Sequence, residues 1–350
     1  MVAKKRARRE VAVEEDPSPD KEIKPGRSMD IYNVHDAHPE VFPSGCCLLD
    51  QVLGGGWAYS RIANIVGVQS SGKTQLAIEA AVNFLVDNPN GTVVYCEAEA
   101  AFDLDYAESL GMPIDQIDFP DLITVEDVFE DLEKRFDSPN RTLYIIDSLD
   151  ALSDRDEQER KIDAGSYAMT KQKKLSEMFR RIVKRLKKSQ VTMLVISQVR
   201  EAIGVTYGDK LKRSGGRALD FYASQVLWLK HIKKIEPQRS GHKRTIGVLV
   251  EALCKKNKVG RPFRRAQFPI IFHFGIEELQ ACLDWLIEEK RTDTLGMTQQ
   301  DAVKLSKKVW QLDDAQYESD LANAKDAVRE VWAEIEKEFD PGRRKYKVIL

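Results

Sequence analysis

The chain has 350 residues, of which 42% are apolar and 31% charged, and its formal net charge is −2. That length allows one large domain with smaller appendages, and the apolar content is ordinary for a globular protein. No apolar run approaches the roughly 20 residues that span a bilayer, and the basic start of the chain lacks the apolar segment of a secretory signal. The five cysteines show no metal-ligand spacing, and their odd number argues against a disulfide framework. We therefore expect an intracellular, cytoplasmic protein.

Both ends of the chain are charged. Residues 1–27 join a basic cluster to an acidic, proline-bearing stretch, a composition that cannot bury a core and predicts a flexible tail. The basic cluster suits a contact with DNA or a neighbouring molecule, and it suits a solvated tail equally well. Residues 341–350 form a short basic tail.

A glycine-rich segment follows the apolar run at 61–66 and precedes a helical pattern. It reads Gly-Val-Gln-Ser-Ser-Gly-Lys-Thr and has the G-x-x-x-x-G-K-[ST] form of a phosphate-binding loop. In such a loop, backbone N–H groups and the helix N-terminus face phosphate oxygens, the lysine reaches the β- and γ-phosphates, and the threonine hydroxyl binds Mg²⁺. We assign nucleotide binding to Gly67, Gln69, Ser70, Ser71, Gly72, Lys73 and Thr74.

Short apolar runs alternate with helical patterns up to residue 275, which predicts an α/β fold with a mostly parallel sheet. The later runs follow one another closely and predict antiparallel strands at one edge. The strand candidates are 61–67, 93–96, 143–147, 191–197, 225–232, 245–253 and 268–274. Apolar residues at helical spacing then predict a helical region over 276–340, in one helix around Leu279 and Leu283 and in another from Tyr317 to Ile335.

Acidic and amide side chains end several of these strands. Asp147 follows a buried strand and is expected to hold Mg²⁺ together with Thr74. A carboxylate is also needed to orient or deprotonate the attacking water, and either Glu97 or Glu99 can serve. Gln198 ends a further strand, where its amide can sense the γ-phosphate.

The chain resembles the RecA family of ATP-dependent DNA recombinases over roughly residues 28–290. The resemblance lies in motifs whose order and spacing match the family: Arg27-Ser28-Met29-Asp30, the loop at 67–74, Glu97 to Asp103, Ile145-Ile146-Asp147-Ser148, Ser197-Gln198-Val199-Arg200 with Ile203-Gly204-Val205, Gly215-Gly216-Arg217-Ala218-Leu219 with Phe221-Tyr222-Ala223, and Lys256-Asn257-Lys258 with Pro262-Phe263. It implies a RecA-like P-loop core over 28–275, followed by the helical region.

The resemblance also implies residue roles. It assigns the catalytic glutamate to Glu99, acting with Lys73 and Gln198, and gives Gln198 the nucleotide-sensing position that links ATP to the second DNA loop. Tyr106 occupies the position of an aromatic ring that stacks on adenine. Lys256 and Lys258 match two lysines that reach the ATP of a neighbouring subunit, although they also suit an exposed charge run. ATP and Mg²⁺ are the implied ligands.

Two polar segments, 153–168 and 200–214, separate strong elements, and loops of this length are usually functional or disordered. In the resembling family they grip DNA. In the helix between them, Lys173, Arg180 and Lys184 share one face, as phosphate-contacting residues would, although a solvated basic face is the alternative. With the positions implied by the family, the DNA-binding candidates are Lys173, Arg180, Arg200, Ile203, Lys212, Arg213, Gly215 and Gly216.

The resemblance implies a nucleoid-associated DNA-dependent ATPase that forms filaments on single-stranded DNA and exchanges strands with homologous duplex DNA. A RecA-fold assembly factor or regulatory ATPase without strand exchange is the main alternative, and a ring helicase motor is a third. The first loop diverges from the bacterial pattern, no docking helix is evident before Arg27, and the C-terminus is basic where the bacterial protein ends acidic. These departures are compatible with a diverged, bacteriophage-encoded relative.

Overall fold

The computed structural model describes residues 39–159, 168–201, 211–213 and 218–343. This part of the chain contains fourteen strands and ten α-helices. The strands are β1 (Val41–Phe42), β2 (Trp57–Ala58), β3 (Ile62–Gly67), β4 (Thr92–Glu97), β5 (Ile117–Asp118), β6 (Thr142–Asp147), β7 (Val191–Glu201), β8 (Leu211–Arg213), β9 (Gln225–Ile235), β10 (Gln238–Arg239), β11 (His242–Lys243), β12 (Gly247–Asn257), β13 (Arg265–Ile271) and β14 (Gly275–Ile276). The helices are α1 (Cys47–Leu53), α2 (Lys73–Asp87), α3 (Leu104–Ser109), α4 (Val125–Arg135), α5 (Arg155–Glu159), α6 (Ala168–Lys188), α7 (Ala218–Tyr222), α8 (Glu278–Glu288), α9 (Gln299–Ser306) and α10 (Asp314–Glu338).

One twisted sheet organises the molecule. Its strand order is β14-β13-β12-β9-β3-β7-β6-β4-β5, and β8 pairs with β7 beside this path. The strands from β9 to β5 are parallel, whereas β12, β13 and β14 add antiparallel pairs at the β9 edge. The expected mostly parallel sheet with antiparallel edge strands is therefore confirmed.

Both faces of the sheet are buried, as expected when helices cover parallel strands. Successive residues of β3 point to opposite faces, so Ile65 joins one hydrophobic cluster and Val66 the other. The first cluster includes side chains of α1, α2, α8 and α10, and the second includes side chains of α4, α6 and α7. All six residues of β3 are buried, which explains its continuous apolar run.

The chain beyond residue 276 is helical, as the sequence predicts. Leu279 and Leu283 of α8 and Val328 of α10 are buried in the cluster that includes α1 and α2. The guanidinium of Arg264 and the carboxylate of Glu336 form an ion pair that joins α10 to the strand edge. The domain boundary at 275 stays a prediction.

The last predicted strand was wrong in its limits. The sequence predicts 268–274, but β13 runs from Arg265 to Ile271 and the chain then turns. His273 and Gly275 have φ angles of 60° and 100° within this turn, while Phe272 and Phe274 are partly exposed. Phe272 and Phe274 are two positions apart, which is the period of side chains on one face of a strand, although both residues lie in the connection to β14.

The helices in the described ranges include none that is both long and apolar enough to span a lipid bilayer.

Candidate functional site

The register of the parallel strands brings the predicted site residues together at the carboxyl ends of these strands. Gly67 at the end of β3 pairs with Gln198 of β7, and Glu97 at the end of β4 pairs with Asp147 at the end of β6. Ligands of open α/β sheets bind in the crevice outside the carboxyl ends of the strands. The residues that the sequence predicts for the nucleotide site therefore lie at the carboxyl ends of these strands.

The segment after β3 forms a tight cradle at the N-terminus of α2. Gly72 has a φ of 88°, and a Cβ atom there would lie 2.5 Å from Ile270 Cδ1. The Ser71 hydroxyl and the Lys73 ammonium each donate a hydrogen bond to the Val68 carbonyl, both at 2.8 Å. The lysine is thus folded back onto its own loop. Gln69 and Ser70 are exposed at the mouth of the cradle.

Thr74 and Asp147 meet as a magnesium site requires. The threonine hydroxyl donates to Asp147 Oδ2 at 2.8 Å, and the Tyr95 hydroxyl donates to the same oxygen at 2.9 Å. Burial raises the pKa of Asp147, while these two hydrogen bonds act in the opposite direction. Hydroxyl and carboxylate oxygens are preferred ligands of Mg²⁺, so this donor set fits the ion.

The two candidate glutamates have different surroundings. Glu97 Oε1 accepts the backbone N–H groups of Glu99 at 2.9 Å and Ala101 at 3.3 Å, so its carboxylate braces the loop. Glu99 Oε1 accepts the Ser148 hydroxyl at 2.6 Å and the Gln198 amide Nε2 at 2.5 Å. The structure therefore brings Glu99 and Gln198 together at the end of the sheet.

Tyr106 lies in α3 beside the cradle. Its hydroxyl donates to Gln75 Oε1 at 2.5 Å. The rings of Tyr106 and His273 meet edge to face, with centroids 5.1 Å apart. The tyrosine is thereby fixed between α2 and the turn after β13, next to the phosphate loop.

Lys256 and Lys258 lie far from the phosphate loop of their own chain. Lys256 pairs with Val226, which pairs with Asn64 near the start of β3, whereas the loop leaves the other end of that strand. The path from Lys256 to Gly67 crosses two spacings between neighbouring strands and three residues along β3. Together these place the two backbones about 14 Å apart. The Lys256 ammonium donates to the carbonyls of Asp220 and Phe221 at 2.6 and 2.9 Å, and Lys258 is exposed.

The DNA-binding candidates are only partly described. Lys173, Arg180 and Lys184 are exposed on one face of α6, while Leu175, Phe179 and Ile182 on another face are buried. In the backbone, Arg200 pairs with Lys212 between β7 and β8, and Arg213 pairs with Val199. Ile203, Gly215 and Gly216 lie outside the described residues, as do the segment 1–38, residues 160–167 of the first loop and residues 344–350.

The sequence reasoning missed several polar residues of this site. Ser148 contacts Glu99, Tyr95 contacts Asp147 and Gln75 contacts Tyr106. Ser148 directly follows the predicted metal ligand, and Gln75 directly follows the phosphate loop, so their positions gave a signal. Tyr95 gave none, because its hydroxyl is buried within an apolar strand.

Known proteins similar to this chain come from one family. The family model described as the RecA N-terminal domain matches residues 18–277. The chain is 36% identical to RecA of Prochlorococcus marinus over 265 residues, covering 75% of this chain and 68% of that protein. It is 35% identical to RecA of Rippkaea orientalis over 259 residues, covering 74% and 72%. The values for RecA of a Picosynechococcus species are 34% over 260 residues, 74% and 73%.

The chain belongs to the RecA family. It is accordingly an ATP-dependent recombinase with DNA-dependent ATPase activity, and the assembly-factor alternative finds no support in these comparisons. The use of ATP follows from the family.

Proposed function

We propose that this RecA-family chain polymerises on single-stranded DNA with ATP and Mg²⁺ and drives pairing and strand exchange with homologous duplex DNA. The observation that carries the proposal is the contact between Gln198 Nε2 and Glu99 Oε1. It joins the strand that leads into the second DNA loop to a carboxylate beside the phosphate cradle. Such a contact makes the state of the nucleotide site and the state of the DNA loop depend on each other.

The residues of the cradle are suited to bind the triphosphate of ATP. Backbone N–H groups of Gln69, Ser70 and Ser71 and the N-terminus of α2 would face the phosphate oxygens. Burial lowers the pKa of Lys73, but the nearby carboxylates of Asp147 and Glu99 oppose this shift and favour its charged form. When bound, Mg²⁺ would be held by Thr74 and Asp147 and would neutralise phosphate charge. Tyr106 would stack on the adenine.

Glu99 is the residue that we assign to the attacking water. Its Oε1 atom is oriented by hydrogen bonds from Ser148 and Gln198, while Glu97 is engaged by backbone N–H groups. A carboxylate held in this way can accept the proton of a water molecule or orient it toward the γ-phosphate. Hydrolysis would then weaken the assembly and allow DNA release.

Lys256 and Lys258 support assembly through a shared nucleotide site. Because their backbones lie about 14 Å or more from their own phosphate loop, we assign these lysines to the ATP of another protomer. A head-to-tail contact that does not close produces a helical filament. We assign Lys258, whose side chain is exposed, the more direct contact with the neighbouring ATP.

DNA would be held mainly by phosphate contacts. Lys173 and Arg180 are exposed on α6, and the second loop with the residues directly after it carries the other candidates, Arg200, Ile203, Lys212, Arg213, Gly215 and Gly216. Contacts of this kind predict affinity that falls steeply with salt and depends little on sequence. Base pairing between the strands would then test homology.

The experiment that tests the function is strand exchange between a labelled single strand and a homologous duplex in the presence of ATP. We expect product with the homologous duplex and none with a scrambled duplex of equal length. ATP-dependent DNA binding without exchange, even with a mediator protein added, would favour an assembly factor and would contradict the proposal.

A further inference from the structure

Asp150 occupies a position between three functional parts of the molecule. It lies in the turn after β6, three residues beyond Asp147, and the sequence gives it no role. Its carboxylate oxygen Oδ2 accepts the backbone N–H of Gln198. The side-chain amide of the same glutamine contacts Glu99. Asp150 therefore fixes the main chain of the residue whose side chain reaches the candidate catalytic carboxylate.

The backbone of Asp150 makes a second connection. Its carbonyl accepts a hydrogen bond from the Lys171 ammonium at 2.9 Å. Lys171 lies in the first turn of α6 that follows the first DNA loop, and it is partly buried. The backbone next to Asp150 is itself anchored, because the Leu149 N–H donates to the Ile196 carbonyl of β7 at 3.0 Å. The turn at Asp150 thus contacts β7, which precedes the second DNA loop, and α6, which follows the first DNA loop.

Cations from two elements lie near Asp150. Lys73 of the phosphate loop and Lys171 of α6 both interact electrostatically with its carboxylate. The Oδ1 atom is buried, and among the described residues none donates a hydrogen bond to it. An unpaired carboxylate with a buried oxygen is costly even in a half-buried residue, so the Gln198 N–H and the two nearby cations stabilise Asp150 in this position.

We propose that Asp150 is a positioning residue that holds Gln198 against the nucleotide site and joins both DNA loops to it. This inference rests on the proposed function. Because the Gln198 N–H and the Lys171 ammonium both contact Asp150, a movement of Gln198 at the nucleotide site would be passed to both loop-bearing elements.

The test separates nucleotide binding from its coupling to DNA. Asp150→Ala and Asp150→Leu remove the acceptor, whereas Asp150→Asn keeps an oxygen that can accept the Gln198 N–H. For each variant we would measure the affinity for a non-hydrolysable ATP analogue, and kcat and KM for ATP with and without single-stranded oligo-dT. The affinity for oligo-dT would also be measured with and without the analogue. Asp137→Ala, in the exposed turn before β6, is the matched control.

We expect Asp150→Ala and Asp150→Leu to bind the analogue within about 2-fold of the unsubstituted protein while their stimulation by DNA falls about 10-fold, because a hydrogen bond to a charged acceptor is lost. The analogue should also strengthen their DNA binding less. Asp150→Asn should retain most of the coupling, and Asp137→Ala should resemble the parent.

Three outcomes would overturn the inference. These are unchanged stimulation in folded Asp150→Ala and Asp150→Leu, an Asp150→Asn variant as impaired as Asp150→Ala, or failure of both Asp150→Ala and Asp150→Leu to fold, which would make the residue structural. If the unsubstituted protein itself shows neither ATP-dependent DNA binding nor DNA-stimulated hydrolysis, the proposed function fails instead.

Discussion

Two glutamates that are close in sequence make different contacts, and these contacts suit different roles. Glu97 and Glu99 follow the same strand, and both carboxylates lie near the nucleotide site. The carboxylate of Glu97 accepts two backbone N–H groups of the following loop, whereas that of Glu99 accepts the side chains of Ser148 and Gln198. These contacts favour Glu99 as the group that orients or deprotonates the attacking water. They favour a structural role for Glu97 in holding the loop.

The Glu99→Gln variant tests this assignment. Gln cannot accept the proton of the attacking water, so we expect kcat for ATP to fall by at least 100-fold. ATP and DNA binding should persist, and filaments should disassemble slowly when free ATP is removed. Turnover measured with a coupled assay and filament lifetime measured by light scattering would check both points. Lys73→Ala, which should lose ATP binding itself, is the comparison.

Rapid ATP-dependent disassembly of Glu99→Gln filaments would contradict the role of Glu99. Glu97→Gln is the matched control because it changes the same atom two residues away. Its amide oxygen can still accept a backbone N–H, so we expect turnover within a few-fold of the parent.

Glu79 predicts a pH dependence of stability. Burial raises its pKa to about 7, although the Ile276 N–H and the Gln75 amide donate to its carboxylate. A carboxyl group with a raised pKa in the folded state binds its proton more tightly there than in the unfolded state. Its contribution to stability is therefore full at low pH and is lost as the pH rises toward about 7.

Glu79→Gln should remove this dependence, because the amide carries no titrating proton. Relative to the parent, we expect the variant to gain about 2 kcal/mol of unfolding free energy between pH 5 and pH 8. Urea unfolding at both pH values measures the difference. The exposed Glu108→Gln of α3 is the control and should not alter the slope. Parallel pH profiles for Glu79→Gln and the parent would refute the prediction.

At the scale of elements, α6 has two faces with different tasks. Leu175, Phe179 and Ile182 are buried against the sheet, while Lys173, Arg180 and Lys184 are exposed along another face. The basic residues are spaced seven and four positions apart, about two turns and one turn of a helix, which aligns their charges. The helix begins directly after the first loop segment, so its basic face continues the predicted DNA surface.

A triple variant tests that face. Replacing Lys173, Arg180 and Lys184 by Ala should weaken single-stranded DNA binding and reduce the slope of log affinity against log salt by about 2, at about 0.7 per phosphate contact. Fluorescence anisotropy with oligo-dT at several salt concentrations gives the slope. The triple variant Lys134→Ala, Lys307→Ala and Lys308→Ala removes the same charge at exposed positions elsewhere. An equal change of slope in both variants would indicate a general charge effect.

At the scale of the whole molecule, the site is incomplete in one chain if the two lysines take part. Lys256 and Lys258 lie near the sheet end opposite the phosphate loop, and Lys256 is bound to carbonyls at the end of α7. Bound ATP would then lie between two protomers and would couple the contact between them to the DNA loops.

Mixing two inactive variants tests this sharing. Lys258→Ala should bind ATP normally but lose DNA-stimulated turnover, because the lysine acts on the neighbouring site. A mixture with Glu99→Gln should recover part of the activity, since some interfaces then combine an intact Glu99 with an intact Lys258. Lys255→Ala is the control, because the Lys255 ammonium lies 3.5 Å from the Trp228 ring centroid in its own chain. No recovery on mixing would contradict a shared site.

The sequence by itself predicted the phosphate loop and the main alternation of strands and helices along the chain, and its motifs resembled the family to which the chain belongs. Residues 67–74 carry a local spacing in which each residue type has its own function, so no tertiary information was needed. The buried parallel strands are also visible as apolar runs, because both of their faces are covered. The turn after β13 was misread, since Phe272 and Phe274 repeat with the period of a strand.

Only the tertiary structure decided which side chains meet. Strand register placed Gln198 beside Gly67, and packing brought Ser148 and Gln198 to Glu99, Gln75 to Tyr106 and Asp150 to the Gln198 backbone. Glu99 and Gln198 are 99 positions apart. Hydrogen bonds between such distant residues depend on how the sheet orders its strands, which local residue patterns do not specify.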